Sequence, residues 1–136
     1  MLKVMFLCVG NSCRSQMAEG LAREIGRGLI EPYSAGYIPA GVNPYAIAVM
    51  QEIGIDISQQ KSKRIDEDLL RRMDVVITLC SNAAEVCPWT PPELKKLHWP
   101  IEDPVGTKGP EEKILFEFRR ARDEIKAKIA QFIAQI

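Results

Sequence analysis

The sequence predicts an α/β fold in which a parallel sheet is covered by helices on both faces. Strand-like apolar runs alternate with helical patterns along the chain, and parallel sheets with right-handed crossovers produce this alternation. A length of 136 residues suits one domain. Because we find no internal repeat, low-complexity segment or linker, we expect a single domain over residues 1–136.

Four elements are expected in the first half of the chain. Residues 3–8 form an apolar run that predicts a buried strand. A helix is expected over 15–25, where apolar residues recur every fourth position before two glycines. A short strand follows at 32–35. An Asn N-cap and a Pro at the first helical position then predict a helix over 44–53.

The second half predicts two more strands and two more helices. A short helix over 66–72 precedes the strand 74–80, which contains three consecutive β-branched residues. Residues 81–86 suggest a brief helical stretch, and 96–99 a weaker strand. Apolar residues at a helical period predict one long amphipathic helix over 111–136. Four strands between helices give a single-domain, three-layer fold.

Composition excludes several classes of function. The 18 basic and 18 acidic side chains balance, whereas proteins that bind nucleic acid or a membrane surface need a basic excess. No apolar run is long enough for a transmembrane span, and the N-terminal one is too short for a signal peptide. We therefore expect a cytoplasmic monomer that binds neither nucleic acid nor membrane.

Four cysteines are the first feature that bears on chemistry: Cys8, Cys13, Cys80 and Cys87. Structural disulfides are not maintained in a reducing cytoplasm. The C-x4-C and C-x6-C spacings differ from the C-x2-C pattern of common zinc sites. We accordingly expect no metal ion, and we interpret the thiols as nucleophilic or redox-active.

The segment between the first strand and the first helix has the composition of an anion-binding loop. Backbone N–H groups at a helix N-terminus attract anions, and Gly10 and Asn11 permit a backbone turn that directs such groups inward. Arg14 adds a planar, permanently charged fork suited to a tetrahedral oxyanion. The predicted oxyanion-binding loop consists of Val9, Gly10, Asn11, Ser12, Cys13 and Arg14.

Cys8 is the candidate nucleophile of this loop. The positive field favours its thiolate, which the Ser15 hydroxyl can stabilise, and a thiolate beneath a bound oxyanion can attack phosphorus or arsenic in line. Alternatively, Cys8 is a buried strand-end thiol and Arg14 a solvated charge; a strand followed by Cys-x5-Arg-Ser favours the active site. Cys13 is interpreted mainly as a packing residue. Cys80 also ends a predicted strand, at the sheet edge where ligands bind in such folds.

Several segments together resemble the thioredoxin-coupled class of arsenate reductases, which share the fold of low-molecular-weight tyrosine phosphatases. The similar segments are 8–20, 33–36, 54–58, 74–88 and 98–104. The resemblance implies arsenic detoxification, with arsenate as substrate and phosphate or sulfate as related oxyanions. It also implies that electrons come from thioredoxin, so that no cofactor is needed.

The resemblance further implies a role for each reactive residue. Cys8 attacks arsenate, Cys80 then attacks Cys8 and expels arsenite, and Cys87 moves the disulfide to Cys80–Cys87, where thioredoxin reduces it. Asp103 matches the general acid of the family. If 81–86 is helical, Cys80 and Cys87 lie about 10 Å apart, and a disulfide between them requires that segment to unwind.

One position departs from the family pattern. Some relatives bind a potassium ion beside the loop, through residues that match Asn11, Glu19, Ser34 and an aspartate. Here Lys63 occupies the aspartate position, so we expect the ammonium to replace the ion or the site to be absent. In the alternative interpretation Lys63 is a solvated loop residue and Glu19 pairs with Arg23.

Two other functions stay open on the sequence alone. The first is a low-molecular-weight tyrosine phosphatase, although residues 103–107 lack the tyrosines that line the substrate slot in that branch. Weak hydrolysis of small aryl phosphates is still expected. The second is a non-catalytic oxyanion-binding or thiol-sensing module. His98, the only histidine, lies on a predicted strand and is interpreted as structural.

Overall fold

A four-stranded parallel sheet forms the centre of the computed structural model, which describes residues 1–80 and 90–136. The strands are β1 (Leu2–Leu7), β2 (Ile30–Ala35), β3 (Val75–Thr78) and β4 (Lys96–His98). Their order across the sheet is β2-β1-β3-β4. The helices are α1 (Arg14–Ile25), α2 (Pro44–Gln51), α3 (Glu67–Arg71) and α4 (Glu111–Ala134). The predicted fold class is confirmed; the helical stretch expected at 81–86 lies outside the described residues.

The two faces of β1 pack against two different hydrophobic cores. Successive side chains of a strand point to opposite faces. Val4 and Phe6 therefore face the larger core, which α1, α2 and α4 cover. Met5 and Leu7 face a smaller core that includes Leu70 of α3. Helices thus cover both faces of the sheet, as expected for a parallel sheet with apolar strands.

Strand β2 begins at Ile30, two residues before the predicted start. Leu2 of β1 pairs with Ile30, so the ladder includes Glu31 and Pro32 as well. Pro32 lacks a backbone N–H, but β2 is an edge strand, where such a loss breaks no ladder. The start of β2 is therefore determined by its pairing with β1 and not by the position of the proline.

Helix α4 is the longest element and anchors its apolar stripe in the larger core through Phe118, Ala121, Ile125, Ile129 and Phe132. Arg122, on the same helix, is also buried and donates to the carbonyl oxygen of Val49 at 2.8 Å. This bond ties α4 to α2. Among residues 1–80 and 90–136, no helix has both the length and the apolar character needed to cross a bilayer.

The register of the central strands places the two candidate cysteines at one sheet edge. Leu7 of β1 pairs with Thr78 of β3. The N–H of Leu79 then donates to the carbonyl oxygen of Leu7 at 3.0 Å. Cys8 and Cys80 directly follow these two leucines. Since neighbouring strands lie about 4.8 Å apart, both cysteines emerge at the carboxyl edge, side by side.

Candidate active site

Cys8 lies at the base of a cavity of about 240 Å³ at the carboxyl edge of the sheet. The chain leaves β1 at Leu7 and enters α1 at Arg14, so the predicted loop wraps the space between a strand end and a helix N-terminus. The residues that line the cavity are Cys8, Val9, Gly10, Ser12, Cys13, Arg14, Ala40, Asp103 and Val105. The structure therefore brings together the predicted nucleophile, arginine and general acid.

A directed chain of hydrogen bonds ends at the Cys8 sulfur. The backbone N–H of Lys63 can only donate, and it lies 2.8 Å from Asn11 Oδ1. This contact fixes the orientation of the Asn11 amide, whose Nδ2 donates to Ser15 Oγ at 2.8 Å. Ser15 Oγ lies 2.8 Å from Cys8 Sγ, and either atom can be the donor of this contact. A deprotonated sulfur can only accept, so the Ser15 hydroxyl is placed to donate a hydrogen bond to the thiolate form of Cys8.

Asn11 holds the turn of the loop. It is the one non-glycine residue with positive φ in the described chain, at 45°, and Asn tolerates this left-handed conformation. Its carbonyl oxygen accepts from Ser62 Oγ at 2.6 Å and from Gln16 Nε2 at 3.0 Å. These bonds, made on the side away from the cavity, keep the backbone turned.

The loop offers donors for an anion. In residues 1–80 and 90–136, no acceptor takes a hydrogen bond from the backbone N–H of Gly10, Ser12 or Cys13. These groups lie at the N-terminus of α1, where the partial positive charge of the helix adds to their attraction for an anion. The cavity therefore has the donors and the electrostatic sign for a tetrahedral oxyanion.

Arg14 is held by two backbone carbonyl groups, one just after β3 and one just after β4. Its Nη1 donates to Leu79 O at 3.1 Å and to Ile101 O at 2.8 Å. Its Nη2 lies 3.5 Å from Asp103 Oδ2, and the arginine side chain is only 5% exposed. The guanidinium is thus held in one orientation at the wall of the cavity, a requirement for bidentate contact with an oxyanion.

Asp103 is positioned by its own loop as well as by Arg14. Its Oδ1 accepts from the backbone N–H of Val105 at 3.0 Å, which closes a tight turn over Pro104. The side chain is 38% exposed, so it can exchange protons with solvent. A carboxyl group that is held across the cavity from the nucleophile and has access to water can serve as a general acid.

The other cysteines differ in environment. Burial, followed by the charge of Asp103, raises the pKa of the Cys13 thiol, so that it remains protonated and agrees with a packing role. Cys80 is buried at the end of the β3 segment. No disulfide joins Cys8, Cys13 and Cys80 to one another. Cys87 lies outside the described residues, so its predicted role stays a prediction.

The candidate cation site contains the Lys63 ammonium. Glu19 accepts from Ser34 Oγ at 2.5 Å and from Arg23 at 2.6 Å, and Lys63 Nζ lies 3.6 Å from its Oε1. Lys63 Nζ also donates to Lys61 O at 2.6 Å. Glu19 therefore has two cationic neighbours, Arg23 and Lys63. The residues described contain no His, Cys, Asp and Glu cluster suited to a metal ion.

Sequence reasoning missed several supporting residues. Gln16 and Ser62 bind Asn11, yet neither was singled out; the one available signal was a polar Gln on the buried side of a helix start. His98 agrees with a structural role, because its Nδ1 lies 2.7 Å from the buried Thr78 hydroxyl. Arg120, whose Nη2 donates to Glu102 O at 3.1 Å, was also missed.

Known proteins resemble this chain over almost its whole length. Residues 3–136 match the family model described as low molecular weight phosphotyrosine protein phosphatase. The arsenate reductase of Halalkalibacterium halodurans is 50% identical over 129 residues, which cover 95% of this chain and 93% of the relative. A solved arsenate reductase in the phosphate-binding state has a TM-score of 0.83 and 41% identity, with 100% of this chain and 99% of the other covered.

A second solved structure bears on the reductant. The thioredoxin-dependent arsenate reductase of Corynebacterium glutamicum is 29% identical to this chain, with a TM-score of 0.67. The match covers 96% of this chain and 63% of the other. The chain is thus similar in sequence and in fold to proteins that act on a tetrahedral oxyanion.

Proposed function

The chain belongs to the low molecular weight phosphotyrosine protein phosphatase family, and from this membership and the site geometry we propose that it is an arsenate reductase. The observation that carries the proposal is that a second cysteine, Cys80, follows the strand next to the one that ends at the anion-binding nucleophile Cys8. A phosphatase needs only the first of these. Reduction needs both, because arsenate must receive two electrons.

In the first step Cys8 forms a covalent bond to arsenic. Its thiolate, which accepts a hydrogen bond from the Ser15 hydroxyl, attacks the arsenate held by Arg14 and the loop N–H groups. An arsenic–oxygen bond breaks, and Asp103 donates a proton so that the oxygen leaves as water. The 3.5 Å contact between Arg14 and Asp103 keeps the acid beside the bound anion.

In the second step the electrons reach arsenic. The Cys80 thiolate attacks the Cys8 sulfur, a disulfide forms, and the sulfur–arsenic bond breaks with its electron pair left on arsenic. Arsenate, As(V), thus leaves as arsenite, As(III), while two thiols are oxidised. The adjacency of Leu7 and Leu79 supports this step, because both cysteines follow directly from a hydrogen-bonded pair.

The last steps restore Cys8. Cys87 attacks the Cys80 sulfur, releases the Cys8 thiol and leaves a Cys80–Cys87 disulfide by ordinary exchange. An external dithiol protein then reduces that disulfide; the thioredoxin dependence of the Corynebacterium glutamicum relative supports thioredoxin in this role. We also propose a monomer in the cytoplasm, the compartment that keeps dithiol proteins reduced.

We propose that this cycle runs without a bound potassium ion. The Lys63 ammonium supports this proposal, because its Nζ lies 3.6 Å from Glu19 Oε1. It supplies a positive charge to the Glu19 carboxylate, which would otherwise be left with Arg23 alone. The Lys63 side chain then provides the positive charge beside Glu19 that a bound potassium ion would otherwise provide.

Weak hydrolysis of aryl phosphates is a second activity that the cavity favours. Ala40 and Val105 form small aliphatic walls beside Cys8 and Asp103. A phenyl group bound beside them gains no stacking contact, since neither side chain is aromatic. We propose phosphatase turnover that is slow and independent of Cys80 and Cys87.

The decisive experiment gives the reduced protein arsenate and no other reductant. A reductase should release about one arsenite per chain, lose two thiols and carry a Cys80–Cys87 disulfide by peptide mapping. Cys87→Ser should still release arsenite but stop with Cys8 bonded to Cys80. Cys80→Ser should release none.

Two outcomes would contradict the proposal. A phosphatase would hydrolyse p-nitrophenyl phosphate, and even its wild-type chain would release no arsenite. A thiol sensor would lose thiols to hydrogen peroxide but not to arsenate. Thioredoxin is tested separately: with its reductase and NADPH, it should convert the single turnover into continuous NADPH oxidation.

A further inference from the structure

The peptide groups on either side of Glu102 are held by two different arginines. Ile101 O accepts from Arg14 inside the site, whereas Glu102 O accepts from Arg120 Nη2 at 3.1 Å. Arg14 comes from α1 and Arg120 from α4. The segment that leads to Asp103 is therefore held by arginines from two different helices.

Arg120 is itself held firmly on α4. Its Nε lies 2.8 Å from Glu117 and its Nη1 2.9 Å from Glu124, which are three residues before it and four residues after it. The side chain is 24% exposed. One residue further along, Ala121 is fully buried in the core and fixes that turn of the helix. These contacts fix the position of the Arg120 guanidinium relative to α4.

We propose that Arg120 is a positioning residue for the general acid Asp103. By fixing the carbonyl of Glu102, it sets the peptide plane from which the Asp103 side chain projects toward Arg14 and the cavity. Its own distance from the reacting atoms does not matter to this role. The inference rests on the proposed function, in which Asp103 donates the proton to the leaving oxygen.

The adjacent residue provides a matched control. Arg119 lies on the same helix and pairs with Glu52 at 2.7 Å, but no hydrogen bond joins it to residues 101–103. In the assay coupled to thioredoxin, its reductase and NADPH, Arg120→Gln should lower kcat about tenfold with little change in KM for arsenate, because the groups that bind the anion are unchanged. Arg119→Gln should change kcat less than about twofold, and Arg120→Lys should recover part of the loss.

A double-mutant cycle separates positioning from a general loss of stability. If Arg120 acts through Asp103, then Arg120→Gln should have almost no effect on kcat once Asp103→Asn has removed the acid. The proposal would be overturned if the double variant lost kcat by the product of the two single-variant factors. An equal loss of kcat in Arg119→Gln would also overturn it. Arg120→Met, which keeps the aliphatic stem, replaces the Gln variant if that variant does not fold.

Hydrogen exchange gives a readout that does not depend on arsenate chemistry. The N–H of Val105 donates to Asp103 Oδ1 at 3.0 Å, and this bond should slow its exchange with solvent. Arg120→Gln should speed its exchange severalfold relative to strand β1, whereas Arg119→Gln should not. Unchanged exchange would refute the positioning role. A wild-type chain that releases no arsenite would instead refute the proposed function and leave this measurement intact.

Discussion

The backbone of Gly36 touches the backbone of Cys8. A Cβ placed on Gly36 would lie 2.7 Å from the carbonyl oxygen of Cys8 and 2.6 Å from that of Val9. Gly36 cannot retreat, because its N–H donates to Lys63 O at 2.9 Å and its carbonyl accepts from Ile65 at 3.1 Å. The end of β2 thus supports the anion-binding loop from behind, and only glycine fits there.

Gly36→Ala should displace this loop. The clash is with backbone atoms, which cannot swing away, so we expect a loss of about 1–3 kcal/mol in the free energy of unfolding and strongly reduced arsenite release. Gly20→Ala is the matched comparison, because its Cβ would meet a side-chain atom of Ile57 at 2.6 Å, in the core rather than at the loop. It should lower stability but preserve arsenite release per folded molecule; equal inactivation by both would contradict the support role.

Ser15→Ala should slow the reaction of Cys8 with iodoacetamide at pH 7. The variant removes the donor that lies 2.8 Å from the Cys8 sulfur, and a charge-assisted hydrogen bond of this kind is worth about 1.5–3 kcal/mol. We therefore expect alkylation and arsenite release to fall roughly tenfold or more. Thr78→Val, which removes an equally buried hydroxyl bonded to His98, should leave the alkylation rate unchanged. An unaltered rate in Ser15→Ala would show that the hydroxyl does not stabilise the thiolate.

The Cys13 thiol predicts a loss of stability at alkaline pH. Burial raises its pKa in the folded chain above the ordinary value of 9.0. Below pH 9 the thiol is neutral in both states; above it, the unfolded chain loses the proton more readily, so the free energy of unfolding falls as pH rises. Urea unfolding between pH 8 and about pH 10.5 should show this decline, and Cys13→Ala should make it shallower. A parallel decline in both proteins would assign the effect to other groups.

Lys63 predicts indifference to potassium. Replacing sodium by potassium at constant ionic strength should change neither the melting temperature nor arsenite release, because the ammonium already serves Glu19. Lys63→Met should lower the melting temperature by a few degrees, as expected for about 1 kcal/mol. Potassium should restore part of that loss if the remaining oxygen ligands can bind it. A potassium-specific gain in the wild-type chain would disprove the replacement.

The local part of this site could be predicted from the sequence. A strand, a glycine and an Asn that tolerate unusual backbone angles, and an arginine at a helix start identify the anion loop within eight consecutive residues. Asn11 does adopt the left-handed conformation. The alternation of strands and helices likewise determined the sheet, because crossover connections allow few arrangements.

The contacts between distant segments could not be predicted in this way. Arg120 is 18 residues from Glu102, and Lys63 donates to Asn11 across 52 positions. Neither contact has a periodic or compositional signal, since both depend on how α4 and the 61–64 segment pack against the sheet. The same is true of Gly36, whose need for glycine comes from a neighbouring backbone rather than from its own φ.

The anchoring of Asn11 has a consequence for the speed of anion capture. Its carbonyl and its amide are held by three residues that do not line the cavity: Gln16, Ser62 and Lys63. The anion-binding loop therefore keeps its conformation before a ligand enters. Association then requires no rearrangement of residues 8–14, and its rate constant is governed by diffusional encounter with a positively polarised opening. Added salt should accordingly slow capture without altering how the bound anion is held.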